Sequence, residues 1–349
     1  MTTVVVLGAT GEMGSRVCRL LRRFVPSALL VGANRSGTGH PDFPVRRADV
    51  RDGAALRGLL RGADLVVNAV GPYRYDPAPL VAACVAERCH YADLAEDLDY
   101  LAALEREARN RAAASAGVAL VGGCSTVPGL LQVLASRWRA RPEVASIDAW
   151  LSMGTRNPVS RGLLVGLLAP LGRPAPGGTR WFTRTEQAET RDGRRLRFGS
   201  YPAPFPTRGL RLGARRVPVR FRVGFDRAPV TRGLALGAHV LGRLPAGAVE
   251  RLAPLLLPAV RLVRPFGTLR GVLIAQARDT RGAELERVEV HARAAGLDVP
   301  ALPSVWVARR LVELGGLPGG LVGLDRVVPF ESAAAWLPEA GYEIRVSAA

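Results

Sequence analysis

The chain has 349 residues, 48% of them apolar, which is enough for two domains and a large core and excludes a disordered protein. Its formal net charge is +18; every basic residue is arginine, and residues 151–280 hold 23 arginines against six acids, a net +17. Such a field concentrates anionic partners (acidic substrates, an acidic carrier protein or membrane headgroups), whereas no zinc-finger spacing or aromatic-rich single-strand signature points to nucleic acid.

Arginine without lysine, beside abundant Ala, Gly and Pro, suggests a GC-rich genome and, with it, a setting in secondary metabolism. The four cysteines (Cys18, Cys84, Cys89, Cys124) show no CxxC or metal-ligand spacing, so a reduced, cytoplasmic protein without a metal is expected. The chain runs directly into an apolar strand, so no leader peptide is expected. Its uncharged apolar stretches, such as 162–172, are too short to span a bilayer.

The elements alternate strand and helix from the start. Residues 4–7 read as a buried strand, followed at once by Gly8-Ala-Thr-Gly11-Glu-Met-Gly14 and an amphipathic helix over 15–24. Strands follow at 28–33, 43–47, 64–68, 91–93 and 118–121. Helices are expected at 52–61 with Asp52 as N-cap, at 77–88, at 98–116 with Gly117 ending it, and at 129–137. This alternation predicts an α/β fold, a Rossmann-type doubly wound parallel sheet.

Beyond Cys124 the texture changes. Residues 180–223 are rich in Arg, Pro and Gly with alternating stretches, which predicts a second α+β domain with a mostly antiparallel sheet and proline on its edges. Residues 233–263 are apolar with interspersed arginines, 284–293 alternate like a strand, and 305–314 read as a helix. The segment Leu252–Val260, flanked by Arg251, Arg261 and Arg264, suits a membrane surface, the wall of a pocket for a greasy substrate, or helix packing and a homodimer interface.

The glycine turn carries the first chemical signal. Gly8 makes the tight turn, Gly11 lets backbone approach a pyrophosphate, and Gly14 lets the helix pack on the strand. Thr10, Glu12 and Met13 complete the cradle at a helix N-terminus, where free N–H groups favour anions. The second strand ends in Asn34-Arg35 where an NAD enzyme usually carries an acid for the ribose hydroxyl. An arginine there forks onto a 2′-phosphate, which favours NADP over NAD. Asp49, after the third strand, is a candidate acceptor for the adenine amino group.

Four segments in order carry a family pattern: Gly8-Ala-Thr-Gly11-Glu-Met-Gly14; Asp64-Leu-Val-Val-Asn68-Ala-Val-Gly71-Pro72-Tyr73; Val81-Ala-Ala-Cys84 with His90-Tyr91-Ala-Asp93; and Gly123-Cys-Ser125-Thr-Val-Pro128-Gly129. Together they resemble the saccharopine dehydrogenase-like NADP-binding oxidoreductases over about the first 130 residues. The resemblance implies that Asn68, Ala69 and Gly71, with Val70 between them, line the nicotinamide half of the cofactor site. It also implies that Tyr73, Asp93 and Ser125 lie near the hydride-transfer face. In that family an α+β domain is inserted and the chain end returns, which suggests a nucleotide domain over 1–124, a substrate and dimerisation domain over 125–302, and a returning segment over 303–349. The segment after Asp93 departs from the family's Gly-Glu, reading Ala95-Glu96.

The candidate proton donors are Tyr73, Asp93 and His90, the last able to titrate near neutral pH. The expected function is NADP-dependent reduction of a C=O, C=N or C=C bond in a small hydrophobic, anionic or carrier-tethered metabolite. The alternatives are a non-catalytic NADP-binding redox sensor and a membrane-surface reductase of lipid intermediates.

Overall fold

The computed structural model describes residues 1–40, 42–205, 209–245 and 247–348. The chain opens with β1 (Thr3–Leu7), α1 (Glu12–Phe24), β2 (Leu29–Asn34), β3 (Val45–Arg47), α2 (Gly53–Leu60), β4 (Leu65–Asn68), α3 (Ala78–Glu87), β5 (His90–Asp93), α4 (Leu98–Asn110), β6 (Ala119–Val121) and α5 (Leu131–Ser136). Local chemistry sets several boundaries. The Asp52 carboxylate accepts from the amides of Ala54 and Ala55 and so starts α2; Asp97 does the same for α4 through the amide of Tyr100. Helix α1 buries Val17, Cys18, Leu20 and Leu21, turns Arg19, Arg22 and Arg23 outward, and pairs Arg16 with the buried Asp298 at 2.9 Å.

Two expected helices differ. Helix α4 stops at Asn110, not at 116; the chain then turns through Ala112 at φ 50° and brings Ala113 into the core before β6. The helix expected at 129 starts earlier, as a π-helical turn over Thr126–Leu130 that runs into α5.

The middle of the chain forms β7 (Ser146–Met153), α6 (Arg161–Leu168), β8 (Thr185–Glu189), β9 (Arg195–Ser200), β10 (Leu210–Leu212), β11 (Arg215–Val217), β12 (Val219–Phe225), α7 (Ala228–Leu241), α8 (Ala248–Val263), β13 (Gly271–Arg278) and β14 (Glu284–Ala292). It ends with α9 (Leu302–Leu314), β15 (Gly320–Leu321), α10 (Leu324–Val327), α11 (Phe330–Glu339) and β16 (Tyr342–Ala348). The apolar run 233–263 is thus split between two helices.

Two compact units result, 1–133 with 298–330, and 134–297 with 331–349. The first holds a seven-stranded sheet in the order β15-β6-β5-β4-β1-β2-β3, with parallel pairing throughout. The second holds a seven-stranded sheet in the order β16-β14-β13-β7-β12-β9-β8, antiparallel except where β12 runs alongside β7. Pro218 does not sit in an edge strand; it separates β11 from the interior strand β12. The final strand corrects the expected return of 303–349 to the first domain. β16 pairs with β14, so residues 331–349 lie in the second unit. The open backbone edge of β14 supplies the ladder partner that a terminal strand needs.

Part of the basic excess is spent inside the second unit. Asp148, 3% exposed, is gripped by Arg220 at 2.6 Å, Arg222 at 3.4 Å and Arg278. A buried carboxylate requires such partners. The guanidinium of Arg222 also stacks over Trp150 at 4.2 Å.

Candidate active site

In the first sheet the strand order reverses between β1 and β4, and in sheets of this kind ligands bind at the C-terminal edge of that crevice. Gly8 ends β1 at φ +75°, and a Cβ there would meet Ala69 O and Val70 Cγ2 at 3.1 Å. A Cβ on Gly14 would sit 2.0 Å from the carbonyl oxygen of Gly8. Gly11 is the N-cap of α1 and has no side chain to cap it, so the first-turn amides stay open to an anion. A bare, positively polarised cradle built by close backbone approach fits a pyrophosphate.

Asn34 ties this turn to the loop after β2. Its amide nitrogen donates to Thr10 Oγ1 at 3.0 Å and to Thr38 O at 3.1 Å, and its oxygen accepts from the amide of Gly37 at 2.6 Å. Arg35 beside it is exposed. Arg47, opposite Asn34 in the β2–β3 register, packs against Gly37 on the same loop and is also exposed. Asp49 is half-buried, and its carboxylate accepts from the amide of Arg51 at 2.9 Å.

At the ends of β4 and β5 the structure brings Asn68, Tyr73 and Asp93 into one cluster with Tyr75, Tyr91 and Tyr100. The fully buried Asn68 amide donates to the hydroxyls of Tyr75 at 2.9 Å and Tyr100 at 3.1 Å. Its side chain therefore points into this cluster, while Ala69, Val70 and Gly71 continue outward. The Tyr73 hydroxyl donates to Asn68 O at 2.8 Å and accepts from the amide of Leu94 at 3.2 Å. Burial, then the nearby Asp93 carboxylate, pushes its pKa well above the ordinary tyrosine value. Tyr73 thus clamps the end of β4 to the end of β5, with its proton held by backbone.

Asp93 is fully buried. One carboxylate oxygen accepts from the amides of Gly123 at 2.7 Å and Ala95 at 2.9 Å; the other accepts from the Tyr91 hydroxyl at 2.7 Å. Burial pushes its pKa up to about 6, although all three hydrogen bonds pull the other way. The native state therefore holds a proton between about pH 4 and 6 that the unfolded chain releases. Ionisation of Asp93 lowers stability as pH rises through that window, in total by about 3 kcal/mol. Asp93→Asn keeps an oxygen for both amides and cannot ionise. Urea titrations at a series of pH values should show wild type losing stability relative to Asp93→Asn from pH 4 to 6 and no further above it. Parallel curves would remove the charge from this account.

His90 is corrected as a proton donor. It begins β5, whereas Asp93 ends it, and parallel pairing places His90 at the N-terminal edge, opposite the glycine turn. Its Nδ1 accepts from the amide of Ala119 at 3.0 Å, and burial lowers its pKa. It is a strand-pairing residue.

Ser125, 5% exposed, donates to the Glu96 carboxylate at 2.7 Å. Glu96 stands at the C-terminal edge with part of the residue exposed, while burial of its carboxyl raises the pKa above the ordinary glutamate value against the pull of the Ser125 hydroxyl and the Val127 amide. Motif reasoning passed over Glu96, Tyr75 and Tyr100. A composition signal existed for the tyrosines, since the chain has six and four of them (73, 75, 91 and 100) meet here.

A parallel sheet that reverses at a glycine turn defines a dinucleotide-binding domain of the Rossmann type. Residues 4–121 match the family model for the saccharopine dehydrogenase NADP binding domain. Over these residues, about a third of the chain, the match supports an NADP-binding domain like that family's. The chain is 29% identical over 174 residues to the "Probable mitochondrial saccharopine dehydrogenase-like oxidoreductase" of Arabidopsis thaliana, a match spanning 43% of this chain and 38% of that protein. It is 30% identical over 142 residues to the trans-acting enoyl reductase of Mycobacterium leprae, spanning 37% of this chain and 34% of that one. These matches therefore reach less than two fifths of the relatives' lengths. The saccharopine dehydrogenase (L-Glu forming) of Saccharomyces cerevisiae shares the fold, with a TM-score of 0.59, 13% identity and 100% coverage of both chains.

Proposed function

We propose that the chain is an NADPH-dependent reductase of a polarised C=C bond, or of a C=O or C=N bond, in a hydrophobic or carrier-tethered substrate. The observation that carries this reading is the bare glycine cradle at the strand-order reversal, with Arg35 at the end of the neighbouring strand. The family of the domain supports NADP, and relatives named trans-acting enoyl reductase support the C=C bond. The cofactor, when bound, supplies the hydride. The chain's residues do the rest. Gly8, Gly11 and Gly14, with the backbone of Thr10, Glu12 and Met13, receive the pyrophosphate. Arg35 reads the 2′-phosphate, Asp49 faces the adenine side, and Ala69, Val70 and Gly71 flank the nicotinamide.

Proton supply is assigned to the Glu96–Ser125 pair, because Glu96 stands at the C-terminal edge, Ser125 holds its carboxyl in place, and burial raises its pKa towards that of a proton donor. Tyr73 and Asp93 are positioning residues that hold the ends of β4, β5 and β6 together.

Fluorescence titration with NADPH and NADH tests the cofactor half. Arg35→Ala should weaken NADPH about tenfold or more and leave NADH unchanged, the loss expected for a charge-assisted contact to phosphate. Equal binding of both nucleotides by the native protein would sink the assignment of Arg35. A screen of enones, ketones, imines and crotonyl-pantetheine, followed by NADPH absorbance, tests the reaction; no turnover of any class counts against a reductase.

A further inference from the structure

Helix α8 is covered along its first turns and uncovered afterwards. Ala248, Val249 and Ala253 are its only buried residues. From Pro254 on, every residue to Arg264 is at least partly exposed. Leu255 and Leu262 lie seven residues apart, on one side of the helix, and Phe266 follows in the next turn. With Leu236 on α7, these side chains are 73–75% exposed, and Val240, one turn beyond Leu236, is also open. Large apolar side chains left this bare along one side of α8 and at the turn after it mark an interaction surface.

The charge around them narrows the partner. Residues 228–270 carry six arginines (Arg232, Arg243, Arg251, Arg261, Arg264, Arg270) and one acid, Glu250. Arg251, Arg261 and Arg270 are exposed. A second copy docked about a twofold axis would set this patch against itself, arginine facing arginine. An anionic bilayer offers instead both an acyl region for the leucines and phosphates for the guanidiniums. Among the described residues no helix is long and apolar enough to cross a membrane, so the contact is interfacial.

We infer that α8, with the turn at Phe266, docks the protein onto the surface of an anionic lipid bilayer. The contact does not depend on the reductase reading, and the experiment separates the two. The purified chain is sedimented with phosphatidylcholine vesicles and with phosphatidylglycerol-rich vesicles, at low and high salt. Binding is expected to the anionic vesicles alone and to fall at high salt. Leu262→Ser with Phe266→Ser, and separately Arg251→Ser with Arg261→Ser, should each weaken it about tenfold or more. Thermal unfolding and NADPH titration of both variants should match the native protein. Absence of sedimentation with anionic vesicles overturns the inference, as does binding that neither variant reduces. A soluble dimer lost in the Leu262→Ser, Phe266→Ser variant, without vesicle binding, gives the face to a second copy. Capture by an acidic carrier protein that needs the arginine pair, without vesicle binding, gives it to that partner.

Discussion

Gly14→Ala should weaken NADPH binding by about a hundredfold or more and lower the stability of the protein by about 1–3 kcal/mol. Helix propensity alone predicts the opposite sign, since alanine inside a helix is favoured over glycine by about 1 kcal/mol. The new methyl would sit 2.0 Å from the Gly8 carbonyl oxygen and 2.6 Å from its carbon, so α1 must move away from β1. That shift carries the first-turn amides out of line with the pyrophosphate, and losing one or two charge-assisted hydrogen bonds of about 1.5–3 kcal/mol each costs about two orders of magnitude in affinity. Gly58→Ala in α2 is the control. It is exposed, helical and meets nothing within 4 Å, so it should hold or raise stability and leave binding untouched. Isothermal titration with NADPH and urea unfolding of both variants decide the matter. Native affinity in Gly14→Ala would mean that the cradle does not hold the pyrophosphate.

Glu96→Gln should lower turnover by about 10²–10⁴-fold with NADPH affinity unchanged, the range lost when a positioned acid is removed. The glutamine oxygen still accepts from Ser125, so the turn after β6 keeps its shape while the transferable proton is gone. Tyr73→Phe is the comparison. It deletes the hydroxyl that clamps Asn68 O to the Leu94 amide, and should cost some stability and less than tenfold in turnover. The measurement is the pH profile of turnover on the best substrate of the screen. A fall in turnover as pH rises through the carboxyl's titration, absent in Glu96→Gln and surviving in Tyr73→Phe, supports the assignment. The reverse pattern would return the proton to Tyr73.

How far the residues themselves disclose the site depends on the range of the interaction. The glycine turn was readable because its demands are local: a positive φ at Gly8 and close backbone approach at Gly14 are written as three glycines between a strand and a helix. Asp52 announced α2 because a capping carboxylate acts within three residues. His90 misled for the complementary reason. It stands three residues from Asp93, yet a strand rises about 3.3 Å per residue, so β5 carries the two to opposite edges of the sheet. Glu96 was passed over because the role proposed for it rests on a hydrogen bond from Ser125, 29 residues away, and no local pattern joins them.

The domain boundaries divide in the same way. Alternating strands and helices determined a parallel sheet over the first part of the chain, since each element's periodicity reports its own burial. The pairing of β16 with β14 was decided only in three dimensions, because strand pairing depends on which backbone edge is open and not on a signal in the added strand. The sequence by itself also placed the basic excess in one region and flanked Leu252–Val260 with arginines. Only the tertiary structure decided that Asp148 consumes three of those arginines inside the second unit, while the far half of α8 keeps its leucines and several arginines in the open. Amphipathic pattern tells which side chains share a face; whether that face is covered is a property of the assembled neighbours.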